Sequence, residues 1–460
     1  MNCILKYSAL ALMSLSFVSC QESVTPTLTI EGGKVKGIET ESAVVYKGIP
    51  YAAPPVGDLR WAKPQDVQNW DTLMIADTFS KASIQAKHDA NDGVYGTEFY
   101  REDPEMGEDC LYLNVWTPKG ASDHPEKKLP VAIWIHGGAF HGGWSFEMEF
   151  DGDAWAKRDV ILVTINYRLG LLGFFCHPLL SEEDDNGVSG NYGLYDQAKA
   201  IEWVHNNIAS FGGDPDNITI FGQSAGAMSV KYQVASPISQ GFISKAIIMS
   251  GGGLGQRALN DGNNQALNDA PGQDMMNMAG LYTLEAMRSA TVEQLDSIVA
   301  AYQNTMHRQF GTRPHYDDVF APLSFDDATY ENTIADIPYM IGGLADDFGG
   351  LNKGCEEFAS LRDSLSTQPT YVYYFDAPAP DPDNRSMLKG SFHSAELCYV
   401  FHTQDRIWRP YSEADYALSD KIVDYWTNFV KFGNPNGETE GEWKPSTRQN
   451  PYTHVLKRAE

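Results

Sequence analysis

The chain has 460 residues, and 61 acidic against 34 basic side chains leave a formal charge of −27. So negative a surface lacks the clustered Lys and Arg that phosphate contacts need, which excludes nucleic acid as a partner. It also repels anionic small molecules more than neutral or cationic ones.

Met1 to Cys20 carries one lysine, Lys6, then an apolar stretch from Tyr7 to Val18 and the ending Phe17-Val-Ser-Cys20 before polar Gln21. Residues 1–19 read as a secretory signal, because the apolar stretch is too short to span a bilayer and no positive charge flanks its far side. The ending resembles a bacterial lipoprotein cleavage box, which makes Cys20 the lipid-bearing first residue of an exported protein anchored to a bacterial membrane. Phe17 stands where such boxes prefer leucine, so ordinary cleavage, giving a periplasmic or secreted protein, is the alternative. Residues 20–27 read as a tether. Of six cysteines, Cys110, Cys176, Cys355 and Cys398 lie beyond Cys20 without C-x-x-C or zinc spacing, so no metal is expected and no disulfide is assigned.

Leu28-Thr-Ile30, Gly33 to Gly37 and Val44-Val-Tyr46 alternate and turn like short antiparallel strands. Gly48-Ile-Pro-Tyr-Ala52 and Pro54-Pro-Val-Gly57 then form a proline-fixed entry loop before Leu59-Arg-Trp61. Glu108 to Trp116 alternates as a strand, while Val131 to Ile135 and Val160 to Ile165 are almost wholly apolar, as strands covered on both faces should be. Between these two runs lies His136-Gly-Gly-Ala-Phe140. Glycines directly after a central strand let the chain cross the sheet's end with N–H groups turned inward, which is what an oxyanion requires; an ordinary Gly-rich turn has the same composition.

Ser181 to Asn186 is acidic but lacks the EF-hand pattern and reads as a solvated loop. Asn191 to Asp196 leads into a predicted helix, Gln197 to Phe211, which Gly212-Gly-Asp-Pro-Asp-Asn217 stops. The next stretch organises the rest. Ile218 to Phe221 reads as a buried strand, and Gly222-Gln-Ser-Ala-Gly226 matches G-x-S-x-G ahead of small, helix-compatible residues. A serine on so tight a strand-to-helix turn needs glycine two positions either side to keep neighbouring backbone clear. The helix that follows aims its N-terminal N–H groups at any oxyanion formed there.

Ala246 to Met249 is the following strand, and Gly251-Gly-Gly-Leu-Gly255 lacks the Lys-Ser/Thr of a phosphate loop, so it reads as a turn. Residues 256–335, polar and rich in Met and Asn with a helix over Thr291 to Met306, read as a cap or wall beside the sheet. Ile337 to Ile341 and Pro369 to Phe375 are strands, Ala414 to Phe432 a helix, and Thr453 to Leu456 a last short strand. This alternation gives an α/β fold with a large, mostly parallel twisted sheet flanked by helices. Length alone suggests about three domains. Residues 28–460 are nevertheless read as one, because the parts of a single site are spread along most of them.

A serine hydroxyl is a poor nucleophile until a base sits within hydrogen-bond reach and an acid orients that base. In α/β-hydrolases the chain order is Ser, acid, His, which leaves His307, His315, His393, His402 and His454. His393, in the loop after the strand ending at Phe375, is the best placed.

Several stretches together are similar to the type-B carboxylesterases, the family of cholinesterases and bacterial para-nitrobenzyl esterases. They are Gly48 to Ala52 with Pro55-Val-Gly57, Glu108 to Trp116, His136 to Phe140, Gly190 to Gln197, the Ser224 elbow, His393 to Phe401 and Tyr425 to Asn436. The resemblance spans about residues 28–456 and implies an α/β-hydrolase that cleaves small to medium carboxylic esters without a cofactor. It makes Ser224 the nucleophile, His393 the base, and the N–H groups of Gly138, Ala139 and Ala225 the oxyanion donors. The family's G-x-x-x-D-E-G acid run lines up with Gly342 to Phe348, which assigns the acid to Asp347, with Asp346 as the fallback, and puts Phe348 in place of glycine. Gln223 replaces the usual glutamate, and Ser83 stands where secreted relatives have a cysteine partner for Cys110, so Cys110 is expected to be unpaired. Tyr100, which matches a choline-holding tryptophan of cholinesterases, and Phe140 are expected in the substrate pocket. The short acid-to-histidine interval implies a more open site. The same fold also occurs in catalytically silent adhesion modules, but those lack a complete triad.

Overall fold

The structure is a computed structural model that describes residues 25–87, 96–99, 103–255, 264–307, 310–438 and 441–459. The signal, Cys20 and Tyr100 lie outside the described residues, as do parts of the tether and wall region.

In chain order the strands are β1 (Thr27–Ile30), β2 (Gly33–Lys36), β3 (Ile38–Glu39), β4 (Ala43–Pro50), β5 (Met74–Ile75), β6 (Ala82–Ser83), β7 (Met106–Gly107) and β8 (Tyr112–Pro118). They continue with β9 (Leu129–Ile135), β10 (Ile161–Ile165), β11 (Gly213–Gln223), β12 (Lys245–Met249), β13 (Tyr339–Leu344), β14 (Thr370–Phe375) and β15 (Thr453–Leu456). Ten of them form one sheet in the order β15-β14-β13-β12-β11-β9-β10-β8-β4-β3. It is parallel from β15 to β10, and β8, β4 and β3 add an antiparallel edge. The small N-terminal sheet, expected to be antiparallel, is mixed, since β5 joins β2 in parallel.

Alternation along each central strand divides the core. Ile133, Val163, Ile220, Ile248 and Ile341 enter one hydrophobic cluster, and their neighbours Trp134, Leu162, Phe221, Ile247 and Met340 enter another on the opposite face. Both faces are therefore dry, which is why these strands read as unbroken apolar runs. A third cluster joins Leu172 and Phe175 to Met275, Met287, Leu295 and Tyr302, and so fastens the helices of the wall region to the main body.

Local signals account for several differences from expectation. The helix leading to the elbow is Tyr192–Asn207, starting five residues early, because Asn191 adopts a left-handed conformation that opens it inside an apparent loop. Ser181 to Asn186 begins inside a helix, Pro178–Glu183. Its acids hold cations of the chain, Glu183 with Arg288 and Asp184 with Lys63, and no cluster able to hold a metal occurs among the described residues. Glu108 to Trp116 becomes strand only from Tyr112. The Gly251–Gly253 turn presents its carbonyls to the buried Lys231 ammonium, the reverse of an anion-binding loop.

Arg168 and Asp196 form a two-point ion pair at 2.7 and 2.8 Å with both side chains buried. Removing one partner of such a pair costs ~3–5 kcal/mol, because the other is left buried and unpaired. The pair locks the loop after β10 to the Tyr192–Asn207 helix. Cys110 is free, as are Cys176, Cys355 and Cys398. Burial pushes the Cys110 thiol up to about 12, and the Ser83 hydroxyl lies within hydrogen-bond reach of it, so serine occupies the expected partner position.

Candidate active site

Sheet register places the chemistry. Gly222 pairs with Ile135 and Gln223 with Met249, so β9, β11 and β12 end side by side and the segments leaving them meet at one edge. Ser224 stands there at φ 57°, ψ −122°, a strained conformation off the sheet and into the helix Ala225–Ala235. The flanking glycines are sterically required. A Cβ on Gly226 would lie 2.0 Å from the Ile135 carbonyl oxygen, and one on Gly222 would lie 2.5 Å from the Gly226 carbonyl.

The His136–Phe140 segment leaves β9 beside the serine, and a Cβ on Gly137 would come within 3.4 Å of the Ser224 Cβ. Gly138, Ala139 and Phe140 all have positive φ, and the Gly138 carbonyl accepts from the N–H groups of His141 and Gly142, both at 2.9 Å. This turn leaves the N–H groups of Gly138 and Ala139 without an acceptor among the described residues, and the same holds for Ala225 at the helix start. Phe140, expected in the substrate pocket, is buried with its ring edge-on to Phe174 at 5.3 Å.

Asp346 and Asp347 follow β13, and the loop carrying His393 follows β14. His393 Nδ1 lies 2.6 Å from Asp347 Oδ1, with both side chains buried. The Phe348 N–H donates to the same Asp347 oxygen at 2.9 Å, and the Phe348 ring stands 4.6 Å from the imidazole. Asp346 is differently engaged: its Oδ2 accepts from the Ser391 N–H at 2.8 Å, and its backbone bridges to Phe392. Gly390 allows that contact, since at φ 67° its Cβ would fall 2.0 Å from Asp346 Oδ2.

His393 Nε2 points towards the elbow, where the Gln223 amide nitrogen lies 3.2 Å away. No hydrogen bond joins Ser224 Oγ to His393 among those of the described residues. The other histidines are elsewhere: His315 against the Cys176 sulfur, His402 against Asp420, His454 stacked on Trp443, and His307 exposed.

Glu396, three residues past His393, was not anticipated. It is buried, its Oε1 accepts from Ser250 Oγ at 3.4 Å, and its Oε2 has no partner. Burial, and then the charge of Asp347, push its carboxyl up to about 8. An unfolded glutamate ionises near ~4.3, so between that value and about 8 the native state holds a proton that the unfolded chain has lost. The resulting stability is complete at low pH and drains away as pH rises towards 8. Glu396→Gln keeps the shape without the ionisation. Its melting temperature should therefore gain on that of the wild type as pH is raised from about 5 to about 8; parallel curves over that range would contradict the assignment.

Comparison with known proteins gives the family. The model of the Carboxylesterase family matches residues 24–357 and 351–460. The para-nitrobenzyl esterase of Bacillus subtilis (strain 168) is 32% identical over 464 residues, covering 89% of this chain and 91% of that protein. The fumonisin B1 esterase of Sphingopyxis macrogoltabida is 38% identical over 325 residues, covering 69% of this chain but only 55% of that protein. Among solved structures, a thermophilic para-nitrobenzyl esterase superposes with a TM-score of 0.79 at 29% identity, covering 94% of this chain and 96% of its own. With the fold, the elbow and a family match along nearly its whole described length, this chain belongs to the carboxylesterase family and is an α/β-hydrolase that hydrolyses esters.

Proposed function

We propose that the protein is a serine carboxylester hydrolase in which Ser224, His393 and Asp347 act as a triad through an acyl-enzyme. The reading is carried by the 2.6 Å contact of Asp347 with His393 Nδ1, which leaves Nε2 directed at the elbow. A carboxylate on Nδ1 holds the tautomer whose Nε2 lone pair can take a proton, and it stabilises the imidazolium that forms. Ser224 Oγ bonds to the ester carbonyl carbon as its proton passes to Nε2. The N–H groups of Gly138, Ala139 and Ala225 hold the resulting oxyanion, each such donor being worth ~2.7–4 kcal/mol. His393 then returns the proton to the leaving alcohol, and water, deprotonated by the same base, releases the acid.

In the resting enzyme the Gln223 amide occupies Nε2 and must give way as substrate draws Ser224 into line. Catalytic hydrogen bonds of this kind commonly tighten only with substrate bound. Gln223 also supplies no charge where relatives carry glutamate, so the imidazolium relies on Asp347.

Hydrolysis of a para-nitrophenyl ester as a function of pH tests the proposal. Protonation of His393 removes its lone pair, so kcat/KM should fall about tenfold per pH unit on the acidic limb. A profile that stays flat into acid would assign the base elsewhere.

A further inference from the structure

A cavity of about 890 Å³ lies beside the far end of the His136–Phe140 turn, walled by His141, Leu169, Gly170, Leu172, Phe310 and Arg313. His141 is tied to the turn through the Gly138 carbonyl, and a Cβ on Gly137 of the same turn would lie 3.4 Å from the Ser224 Cβ, so one turn links the cavity wall to the nucleophile. Neither the base-side residues Gln223, Asp347, Phe348 and His393 nor Ser224 and the oxyanion donors line it, and its link to the site is the turn that ends at His141. The leaving alcohol must take its proton from His393 and therefore departs on the base side, so a cavity reached along the turn that bears the oxyanion donors is left for the acyl half.

The cavity's chemistry is divided. Leu169, Leu172 and Phe310 give apolar walls, while Arg313, Thr312 and His141 gather at a polar end, with Thr312 Oγ1 3.4 Å from His141 Nδ1. Arg313 is exposed and holds no carboxylate among the described residues. By contrast Arg60, Arg168, Arg288, Arg362, Arg409 and Arg458 each do. In a chain with 61 acidic side chains, a guanidinium left unpaired at a cavity is available to a ligand's carboxylate, for which its fork geometry is suited. Asp296 is the one carboxylate among the described lining residues. It is exposed, so solvent screens its charge from a ligand held at Arg313.

We propose that this cavity takes the acyl half of the substrate and that Arg313 binds a carboxylate on it, so that half-esters of dicarboxylic acids are preferred to neutral esters of equal length. The inference rests on Ser224 and His393 acting as described above. The net charge of −27 sharpens it, because without a local cation such anions would be the poorer substrates.

The test uses the whole protein with monobenzyl glutarate and monobenzyl adipate against benzyl pentanoate and benzyl hexanoate. The ratio of kcat/KM for half-ester to neutral ester should exceed one in the wild type. It should fall about ten- to hundredfold in Arg313→Gln, mainly through KM, and less in Arg313→Lys. A ratio below one that Arg313→Gln leaves unmoved would overturn the proposal. Calorimetric titration of monobenzyl glutarate into Ser224→Ala, and into the same protein also carrying Arg313→Gln, reads the cavity independently of turnover. Binding lost with the arginine supports the site, and equal binding refutes it. Failure of the wild type on a para-nitrophenyl ester run alongside would instead sink the triad reading, with the calorimetry still deciding Arg313.

Discussion

Ser224→Ala should lower kcat for a para-nitrophenyl ester by about 10⁵–10⁶-fold while leaving the protein folded. The loss corresponds to about 7–8 kcal/mol of transition-state stabilisation, because the residue supplies the atom that bonds to the carbonyl carbon. The fold should not register the change. Serine and alanine both carry a Cβ, so the cost of φ 57° is the same for each, and among the described residues the hydroxyl makes no hydrogen bond whose loss would leave a buried partner unpaired. Circular dichroism and melting temperature should match the wild type. Retained turnover would mean that the chemistry resides in another residue, and an unfolded variant would mean that the elbow needs the hydroxyl for structure.

The second large effect separates two adjacent carboxylates. Asp347→Asn should reduce kcat by about 10⁴-fold, because an amide no longer fixes the His393 tautomer or supports the imidazolium. Asp346→Asn should cost at most about tenfold. Asp346 holds the loop rather than the base, and the amide oxygen of asparagine can accept the Ser391 N–H as the carboxylate does. The contrast between the two variants should therefore reach about 10³. If Asp346→Asn were the more damaging, the acid would be misassigned.

Which features are legible in the sequence follows from which signals are local. The elbow and central strands could be read because G-x-S-x-G and unbroken apolar runs record close backbone approach and two-sided burial, and the structure has both at Gly222, Gly226 and β9 to β13. Asp347 could be placed only by family resemblance, since spacing alone does not distinguish it from Asp346. The separation comes from the loop after β14, which gives one carboxylate to Ser391 and the other to His393.

Three helical features were hidden for identifiable reasons. The helix Gln265–Met278 carries Pro271 and Gly272 in its interior, which read as breakers; Gly272 is there because a Cβ would fall 2.0 Å from the Cys176 carbonyl oxygen. The helix Leu351–Leu365 starts after Gly350 without a side-chain cap, so its start signal is absent. The helix containing Tyr192 opens on a left-handed asparagine beside two glycines, a composition that resembles a loop. Glu396 was missed because nothing in Ser394-Ala-Glu396 marks the glutamate as buried; its only signal is its place three residues after the base. Gln223 was read as an absent charge, whereas the structure makes it the neighbour that His393 Nε2 meets. Tertiary contact, not local pattern, fixes both.

The central claim is that Ser224, His393 and Asp347 form one hydrolytic site, and reaction of the intact protein with a fluorophosphonate probe, followed by peptide mass spectrometry, tests it most directly. We expect one adduct per chain, located on Ser224, with esterase activity lost in proportion to labelling and no adduct on Ser224→Ala. Full turnover by protein whose Ser224 is phosphonylated, or stoichiometric labelling of a different residue, would contradict it.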